Sequence, residues 1–423
     1  MIHRFDRRAV KSRPLAERDS LLDIEGIAVN PATWEIDLSD EARDDVGRAA
    51  AEILASRARG APVILAFGAH AIKNGLSNIL ITLMKRGFVT HFATNGAGVI
   101  HDWEFASTGR SSEDVRRNLA EGRFGTWEET GAFINLALAL GAWKGQGYGE
   151  SVGAMIVDGG LRIPDDDTLC AGAAPAWASD ASIAELEGAA AAADLRALLR
   201  EAGIKPGFLA IDHPHARFSL AAAARRADLP FTCHPMFGHD IIYTHPLNRG
   251  AAIGRTAERD FLSFVDSVSH LEGGVYLSLG SAVMSPMIFE KALSMARNAA
   301  LGAGRRIEDF DIHVVDLATS AWDWKGGGEP PRDDPAYYLR YCKTFSRAGA
   351  RMRYASADNR SWLAALLLEL ERREAKSGSD EGGGTSGGTS GGSIQGSGNP
   401  GGGPQGGSGG PPRRAGAGRA SDA

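Results

Sequence analysis

The sequence predicts an α/β protein built on a doubly wound, mostly parallel sheet. Short apolar, β-branched runs such as PVILAF at 62–67 alternate with longer segments of helical periodicity such as 41–58. Runs of the first kind are typical of strands buried on both faces, as in parallel sheets. The chain has 423 residues, of which 43% are hydrophobic. It can therefore bury the core of a single large domain.

The alternation predicts the order of the elements. The predicted strands are PVILAF, VTHFATNG, AMIVDG, GFLAIDH, LPFTCHP, GGVYLSLG and FDIHVVDLA. The predicted helices cover 41–58, 74–86, 111–121, 128–142, 183–202 and 286–301. Because parallel strands need right-handed crossovers, their carboxyl ends should meet at one edge of the sheet. The loops expected at that edge are 67–75, 94–104, 212–216, 233–246, 278–286 and 316–328.

Both ends of the chain differ from its middle. Residues 1–40 form a charged N-terminal extension, and residues 41–375 hold the alternating elements. Residues 376–423 are rich in glycine, serine and proline, so they can bury too little apolar surface to offset the entropy of ordering. We expect a disordered tail there.

Composition excludes several classes of partner. The net charge is −6 and the pI about 6.0, so no basic surface is expected for nucleic acid. No window approaches the ~20 apolar residues of a membrane span, and a cytoplasmic location is expected. Cys170, Cys233 and Cys342 are too scattered for a disulfide framework or a thiolate zinc site.

Three turns of small residues follow predicted strands. They are Thr94-Asn95-Gly96-Ala97-Gly98, Gly68-Ala69-His70 and Leu279-Gly280-Ser281. Small residues let backbone amides approach a phosphate or a ribose closely. Any one of them could be a tight turn without a ligand, but three at one edge favour a nucleotide or sugar-phosphate pocket.

Two groups of ionisable residues lie in the expected edge loops. His101, Asp102 and Glu104 could provide an acid and base pair, or simply complement a helix dipole. The second group could bind a metal, although polar pocket lining is favoured because no sharp ligand motif is present. Its members are Asp212, His213, His215, His234, His239, Asp240 and His245.

Lys343 is a candidate nucleophile. Most lysines are solvated surface charges, but a buried lysine with a lowered pKa can form a Schiff base. Its context in the chain, YCKTFSRAGARMRYASADN at 341–359, carries part of a family resemblance.

The stretch at 63–105 resembles the first half of deoxyhypusine synthases. The family's Thr-Thr-Ala-Gly-Gly-Val-Glu-Glu-Asp run reads here as TNGAGVIHD at 94–102. The family also has its Schiff-base lysine, ten residues, Tyr-Ala-Asp and a final apolar helix. This chain has Lys343, ten residues, Tyr354-Ala355-Ser356 and WLAALLLEL. The resemblance covers most of residues 55–370.

The resemblance implies a Rossmann-like fold, a homotetramer with sites at subunit interfaces, and NAD as cofactor. It implies an aminobutyl transferase that takes the group from spermidine through a Lys343 imine to a protein lysine or a small diamine. Proton transfer would fall to His239 or His101, with Asp240 beside them, while Asp323 is a further candidate for pairing with ammonium groups. The implied cofactor-binding residues are Gly68, His70, Thr94, Asn95, Gly96, Ala97, Gly98, Asp102, Gly280, Ser281, Asp316 and Ser356.

Several of the family's positions differ here. The cofactor-binding Ser-Asn falls on Ala69-His70, the paired glutamates on Ile100-His101, and the aspartate of Tyr-Ala-Asp on Ser356. Two alternatives therefore stay open. One is a metal-assisted hydrolase or lyase using the histidine group at 212–245, and the other is a non-catalytic nucleotide or metabolite binder.

Overall fold

The computed structural model describes residues 2–326 and 328–381, with side chains as far as residue 377. The strands in these ranges are β1 Leu22–Asp23, β2 Val63–Phe67, β3 His91–Thr94, β4 Arg110–Ser111, β5 Gly160–Ile163, β6 Gly207–Ala210, β7 Phe231–Cys233, β8 Val275–Leu279, β9 Asp311–Asp316 and β10 Arg351–Ser356. The α-helices in the described ranges are α1 Ile24–Ile27, α2 Asp40–Arg59, α3 His70–Lys73, α4 Ser77–Lys85, α5 Gly96–Thr108, α6 Val115–Ala120, α7 Glu128–Lys144, α8 Tyr148–Asp158, α9 Asp166–Ala173, α10 Ile183–Ala202, α11 Leu220–Ala227, α12 Gly250–Ser269, α13 Met284–Gly302, α14 Arg340–Ser346 and α15 Asn359–Glu381. Short 3₁₀ helices cover Arg7–Ala9, Leu15–Glu17, Ala174–Trp177, Ala216–Phe218, Ile241–Thr244 and Pro335–Tyr338.

Six strands form the central sheet, in the order β7-β3-β2-β8-β9-β10 with every neighbouring pair parallel. Counted along the chain, this is the order third, second, first, fourth, fifth, sixth. Dinucleotide-binding folds have this order, and their ligands lie where it reverses. The reversal here falls between β2 and β8. The predicted Rossmann-like parallel sheet is confirmed.

Both faces of the sheet are covered by helices. Along β2, Val63, Leu65 and Phe67 belong to one buried core, while Ile64 and Ala66 belong to a second. Side chains of a strand point alternately to opposite faces, so the two cores lie on opposite sides. The second core packs α13, α14 and part of α12 against the sheet. This double covering explains why all five residues of β2 are buried.

Two predicted strands differ from the structure. The run AMIVDG belongs to the helix α8, which is capped by Gly147 at its N-terminus and by Gly159, in the left-handed conformation, at its C-terminus. The run GFLAIDH does begin with a strand, β6, but β6 pairs antiparallel with β5 in a separate two-stranded sheet. Residues 212–216 therefore do not follow a strand of the central sheet.

The chain ends are described only in part. Near the N-terminus, β1 pairs with β4 in a small antiparallel sheet. One compact unit spans Met1–Lys376, and α15 ends at Glu381. The predicted disordered tail lies outside the described residues from position 382 onward. Within the described ranges, no helix combines the length and apolarity that crossing a bilayer requires.

Candidate functional site

The carboxyl ends of β2 and β8 touch through two glycines. The Gly68 amide donates to the carbonyl of Leu279 at 3.1 Å. A β-carbon on Gly68 would lie 2.2 Å from the Gly280 carbonyl oxygen, so only glycine fits there. Gly280 itself has a φ of +54°, in the region that favours glycine. At the reversal of strand order, the sheet edge therefore consists of backbone without side chains. We call this place, formed by Gly68, Gly280 and the turn 281–284, the switch-point cleft.

The turn after β8 leads into the N-terminus of α13. Ser281 accepts a hydrogen bond from the amide of Ser285 at 3.1 Å. Within the described chain, the amides of Ala282, Val283 and Met284 have no protein acceptor. Such groups carry the positive end of the helix dipole. This turn can therefore bind an anionic group such as a phosphate.

The ends of β9 and β10 lie further along the same edge. Asp316 accepts from the Ala318 amide at 3.2 Å, and Ser356 is exposed. Asn359, the first residue of α15, was not predicted as a site residue. A β-carbon on Gly280 would lie 2.5 Å from its Nδ2 atom, so its carboxamide borders the switch-point cleft. No motif marks Asn359, because β10, which places it there, was itself not predicted.

The turn after β3 packs tightly. The hydroxyl of Thr94 donates to the carbonyl of Phe67 at 3.0 Å, and a β-carbon on Gly98 would lie 2.2 Å from that hydroxyl. Asn95 caps the N-terminus of α5, and its side chain accepts from the Gly98 amide at 2.9 Å. These small residues therefore serve the contact between helix and strand.

Asp240 lies against the same turn. A β-carbon on Gly96 would lie 2.1 Å from Oδ2 of Asp240. Burial raises the pKa of this carboxyl to about 6, while the neighbouring His239 and a hydrogen bond from the Ala97 amide act in the opposite direction. The amides of Ala97 and Gly98 thus face protein acceptors. This corrects the expectation that they are free to cradle a phosphate.

Three further polar groups lie near enough to Asp240 to feel its charge, and no sequence motif marks them. They are Tyr148, Tyr243 and Cys233, and with Asp240 they form what we call the Asp240 cluster. Burial raises the pKa of each of the three, and the charge of Asp240 adds to this effect. Oδ2 of Asp240 and both tyrosine hydroxyls are buried without a hydrogen-bond partner in the described chain. Only the fold reveals such a group, since its members are far apart in the sequence.

His101 belongs to a buried network. Its Nδ1 contacts the Ser111 hydroxyl at 2.7 Å, and that hydroxyl donates to Glu104. Glu104 also pairs with both terminal nitrogens of Arg18, at 2.7 and 2.8 Å. Burial lowers the pKa of His101 to about 4, so the ring is neutral at physiological pH. The network holds the N-terminal extension against α5.

Asp102 is a helix cap. Its carboxylate accepts from the Ser219 hydroxyl at 2.6 Å and from the amides of Leu220 and Ala221 at 2.7 and 3.3 Å. Burial raises the pKa of Asp102 to about 6. Because both oxygens are used at the start of α11, the predicted cofactor-binding role is corrected to a structural one. His70, by contrast, is exposed at the start of α3.

The histidines predicted as one group are dispersed. Nε2 of His213 accepts from the Trp103 indole at 3.1 Å, and His245 contacts Glu128 at 3.3 Å. His234 is buried beside Thr232, and burial lowers its pKa to about 3. His215 faces Glu25, while His239 is exposed. Across the described residues, no three His, Cys, Asp or Glu side chains converge as a metal site would require.

Lys343 lies on α14. Its ammonium group is 3.4 Å from the centroid of the Tyr337 ring, a cation–π contact. The helix α14 packs against α13 and β10. Because β10 is four strand spacings from β3, roughly 19 Å at the usual ~4.8 Å spacing, the lysine does not meet the glycine turn at 94–98.

No protein-family model and no curated protein matches this chain. Several solved structures are similar in fold. AgrE in complex with ornithine and NAD⁺ has 14% identity and a TM-score of 0.39, covering 81% of this chain and 35% of AgrE. A conserved putative LOR/SDH protein from Methanococcus maripaludis S2 has 11% identity and a TM-score of 0.38, covering 81% of this chain and 71% of that one. ArgZ, a cyanobacterial arginine dihydrolase, has 12% identity and a TM-score of 0.38, covering 79% of this chain and 32% of ArgZ.

The chain thus spans only about a third of the length of AgrE and of ArgZ. The predicted aminobutyl transfer from spermidine is wrong. The three structures reported above are named for a complex with ornithine and NAD⁺, a putative LOR/SDH protein and an arginine dihydrolase, and none of these three is named as a deoxyhypusine synthase. The predicted mechanism also required Lys343 to face the turn at 94–98. Lys343 instead packs on Tyr337, away from that turn.

Proposed function

We propose that the protein is an NAD(H)-dependent enzyme that binds its dinucleotide across the carboxyl edge of the central sheet, over the switch-point cleft. The observation that carries the proposal is the contact between Gly68 and Gly280 at the reversal of strand order. Open α/β sheets bind ligands at this position.

The residues around the cleft fit a dinucleotide. The amides of Ala282, Val283 and Met284 would hold phosphate oxygens, supported by the dipole of the 19-residue helix α13. The Asn359 carboxamide at the opposite side of Gly280 can donate to or accept from a ribose or a base. When bound there, the dinucleotide would supply redox chemistry.

One feature of common dinucleotide folds is missing. No GxGxxG run follows β2, and α3 has only four residues. A helix that short cannot provide a phosphate site of the usual kind. We therefore assign the phosphates to the turn before α13.

The test is titration calorimetry of the full chain with NADH and NAD⁺, comparing wild type with Ala282→Glu. A carboxylate in this turn would face the phosphates, so affinity should fall by roughly tenfold or more. The matched control is Ala299→Glu, an exposed alanine near the other end of α13, which should leave affinity unchanged. Absence of saturable binding of either nucleotide by wild type up to about 1 mM, the upper end of common KM values, would refute the proposal.

A further inference from the structure

The strand β6 has one edge without a partner strand. It forms a two-stranded antiparallel ribbon with β5, and no third strand of the described chain joins that ribbon. The exposed residues of β6 are Gly207, Phe208 and Ala210, while Leu209 is half-buried. The strand therefore lies at the surface, and its second edge is open.

The hydrogen-bond pattern identifies the backbone groups on this open edge. The Ile211 amide donates to the Gly159 carbonyl at 3.0 Å, so Ile211 faces the side of β5. Successive residues in an antiparallel pair face alternately toward and away from the partner strand, so Ala210 and Phe208 face away. Neither their amides nor their carbonyls have a hydrogen-bond partner among the described residues.

The open edge also lacks the usual protection. Natural proteins commonly blunt such an edge with a charged residue, a proline or a bulge. The sequence of β6, Gly-Phe-Leu-Ala, contains neither a charge nor a proline. Phe208 is 52% exposed, although it contacts Arg162 across the ribbon. A two-stranded ribbon is marginal by itself, so an exposed apolar edge of this kind indicates a partner that adds a further strand.

The charges beside β6 indicate which partner fits. Lys205 precedes the strand and Asp212 follows it, both are exposed, and neither forms a salt bridge within the described ranges. In an antiparallel pair of two copies, the start of each β6 meets the end of the other, so Lys205 comes beside the partner's Asp212 at both ends. A parallel pair would bring like charges together. Cross-strand neighbours of opposite charge stabilise a pair, and like charges destabilise it.

One register satisfies all the free backbone groups at once. If Phe208 lies opposite Ala210 of the partner subunit, the two outward amides of each copy donate to the two outward carbonyls of the other. The two-fold axis then passes beside Leu209, which lies opposite its own equivalent. Apolar side chains directly across a strand pair add to its stability. A second copy therefore complements this edge in hydrogen bonding, polarity and charge.

We infer that two copies of this chain associate through β6, which pairs antiparallel with β6 of the second copy and joins the two ribbons into one sheet. β6 is not part of the central sheet, so the association does not depend on the proposed nucleotide site. A strand of four residues buries less than the ~1,600 Å² of a standard interface. We therefore expect a dimer of micromolar affinity.

Sedimentation velocity of the full chain over the micromolar concentration range tests this association. The weight-average mass of wild type should rise with concentration from 44.6 kDa toward twice that value. Ala210→Pro removes an outward amide and leaves the bonds to β5 in place, so it should weaken association by roughly tenfold or more. Ala210→Val is the matched control, because valine keeps the amide and suits a strand, and it should associate as wild type does.

A charge exchange tests whether the partner is a second copy. Lys205→Glu alone and Asp212→Lys alone should each weaken association several-fold, because each brings like charges together. The double variant should restore it, since the two charges then trade places. The exchange also decides the matter should Ala210→Pro fail to fold.

Thermal melts show which variants are folded. A wild type that stays at 44.6 kDa throughout the concentration range would overturn the inference. A folded Ala210→Pro that associates as strongly as Ala210→Val would do the same. So would a folded double variant that associates no better than the two single charge variants.

Discussion

The carboxylate of Asp240 rests against the backbone of Gly96, so that a β-carbon at Gly96 would lie 2.1 Å from Oδ2. Gly96 is the first residue of α5, which follows β3, and Asp240 lies in the loop after the neighbouring strand β7. Their contact places a carboxylate with a raised pKa at the start of α5. Through this contact the Asp240 cluster packs against the turn that follows β3.

Gly96→Ala should therefore destabilise the protein. The new methyl group forces the buried carboxylate away, and overpacking of this kind costs about 1–3 kcal/mol in the free energy of unfolding. Urea unfolding measures the change. Gly188→Ala is the control, since nothing lies within 4 Å of its missing β-carbon inside α10. That change should stabilise by about 0.5–1 kcal/mol, because alanine favours helix over glycine.

A double-mutant cycle tests the cause. In an Asp240→Ala background, Gly96→Ala should cost much less, because the clashing carboxylate is gone. An equal cost in both backgrounds would show that the contact between the two residues is not the reason.

Stability should fall as the pH rises from about 6.5 to about 9, because of His313. This fully buried ring contacts Asp45 at 2.9 Å and Glu52 at 2.6 Å. Burial alone would lower the pKa of His313, but the two carboxylates raise it to about 9. A raised pKa favours the folded state below the unfolded value of about 6.5, and the contribution, on the order of 3 kcal/mol, is lost as pH passes the folded value.

Urea unfolding of wild type and His313→Gln at pH 6 and pH 9 checks this dependence. At pH 6 the variant should be less stable than wild type. Its free energy of unfolding should differ much less between pH 6 and pH 9 than that of wild type. His91→Gln is the control, since burial lowers the pKa of His91 to about 3 and leaves it neutral throughout. A pH dependence that persists in His313→Gln would assign the effect to other groups.

Arg18→Met should destabilise by roughly 3–5 kcal/mol, because it leaves the Glu104 carboxylate buried without its counter-charge. Both side chains of this pair are 1% exposed. Arg196→Met removes an equally bidentate partner from Asp166, but those side chains are 31% and 48% exposed. Its cost should stay within about 1 kcal/mol. Similar losses for the two variants in chemical denaturation would contradict the role given to the buried pair.

Gly280→Ala should affect both stability and nucleotide binding. Its φ of +54° costs an alanine about 1–2 kcal/mol, and the new β-carbon would press on Asn359 at the switch-point cleft. Gly304→Ala has a similar φ of +69° with nothing within 4 Å, so it isolates the backbone cost. Melting temperatures should fall for both variants, but NADH affinity should fall only for Gly280→Ala. Equal NADH affinity in the two would place the nucleotide elsewhere.

Much of the fold could be read from local patterns. PVILAF and GGVYLSLG were predicted as strands and form β2 and β8. A short apolar run bounded by turn residues is typical of a buried strand, so the prediction needed no tertiary information. AMIVDG shows the limit of that rule. Its apolar, β-branched residues suit a buried helix as well as a buried strand, and the flanking Gly147 and Gly159 end the helix on either side.

Some residues of the candidate site could likewise be predicted from local patterns, and others could not. Gly68, Gly280 and Gly96 were predicted because small residues after strands are visible in the sequence. Asn359, Tyr148 and Tyr243 were not, since nothing in their neighbours distinguishes them. Lys343 was selected by a resemblance in spacing, but the position of β10 at the end of the sheet separates it from the turn it was expected to face.

The sequence by itself determined the α/β class, the approximate extents of five central strands and the small-residue turns after three of them, because each depends on interactions between near neighbours in the chain. The tertiary structure alone decided the order of the strands, the meeting of Gly68 with Gly280, and the contact of Asp240 with Gly96 about 140 residues away. These depend on which strands pair and which loops then share an edge. Such long-range pairings arise from packing of the whole core, and no local pattern encodes them.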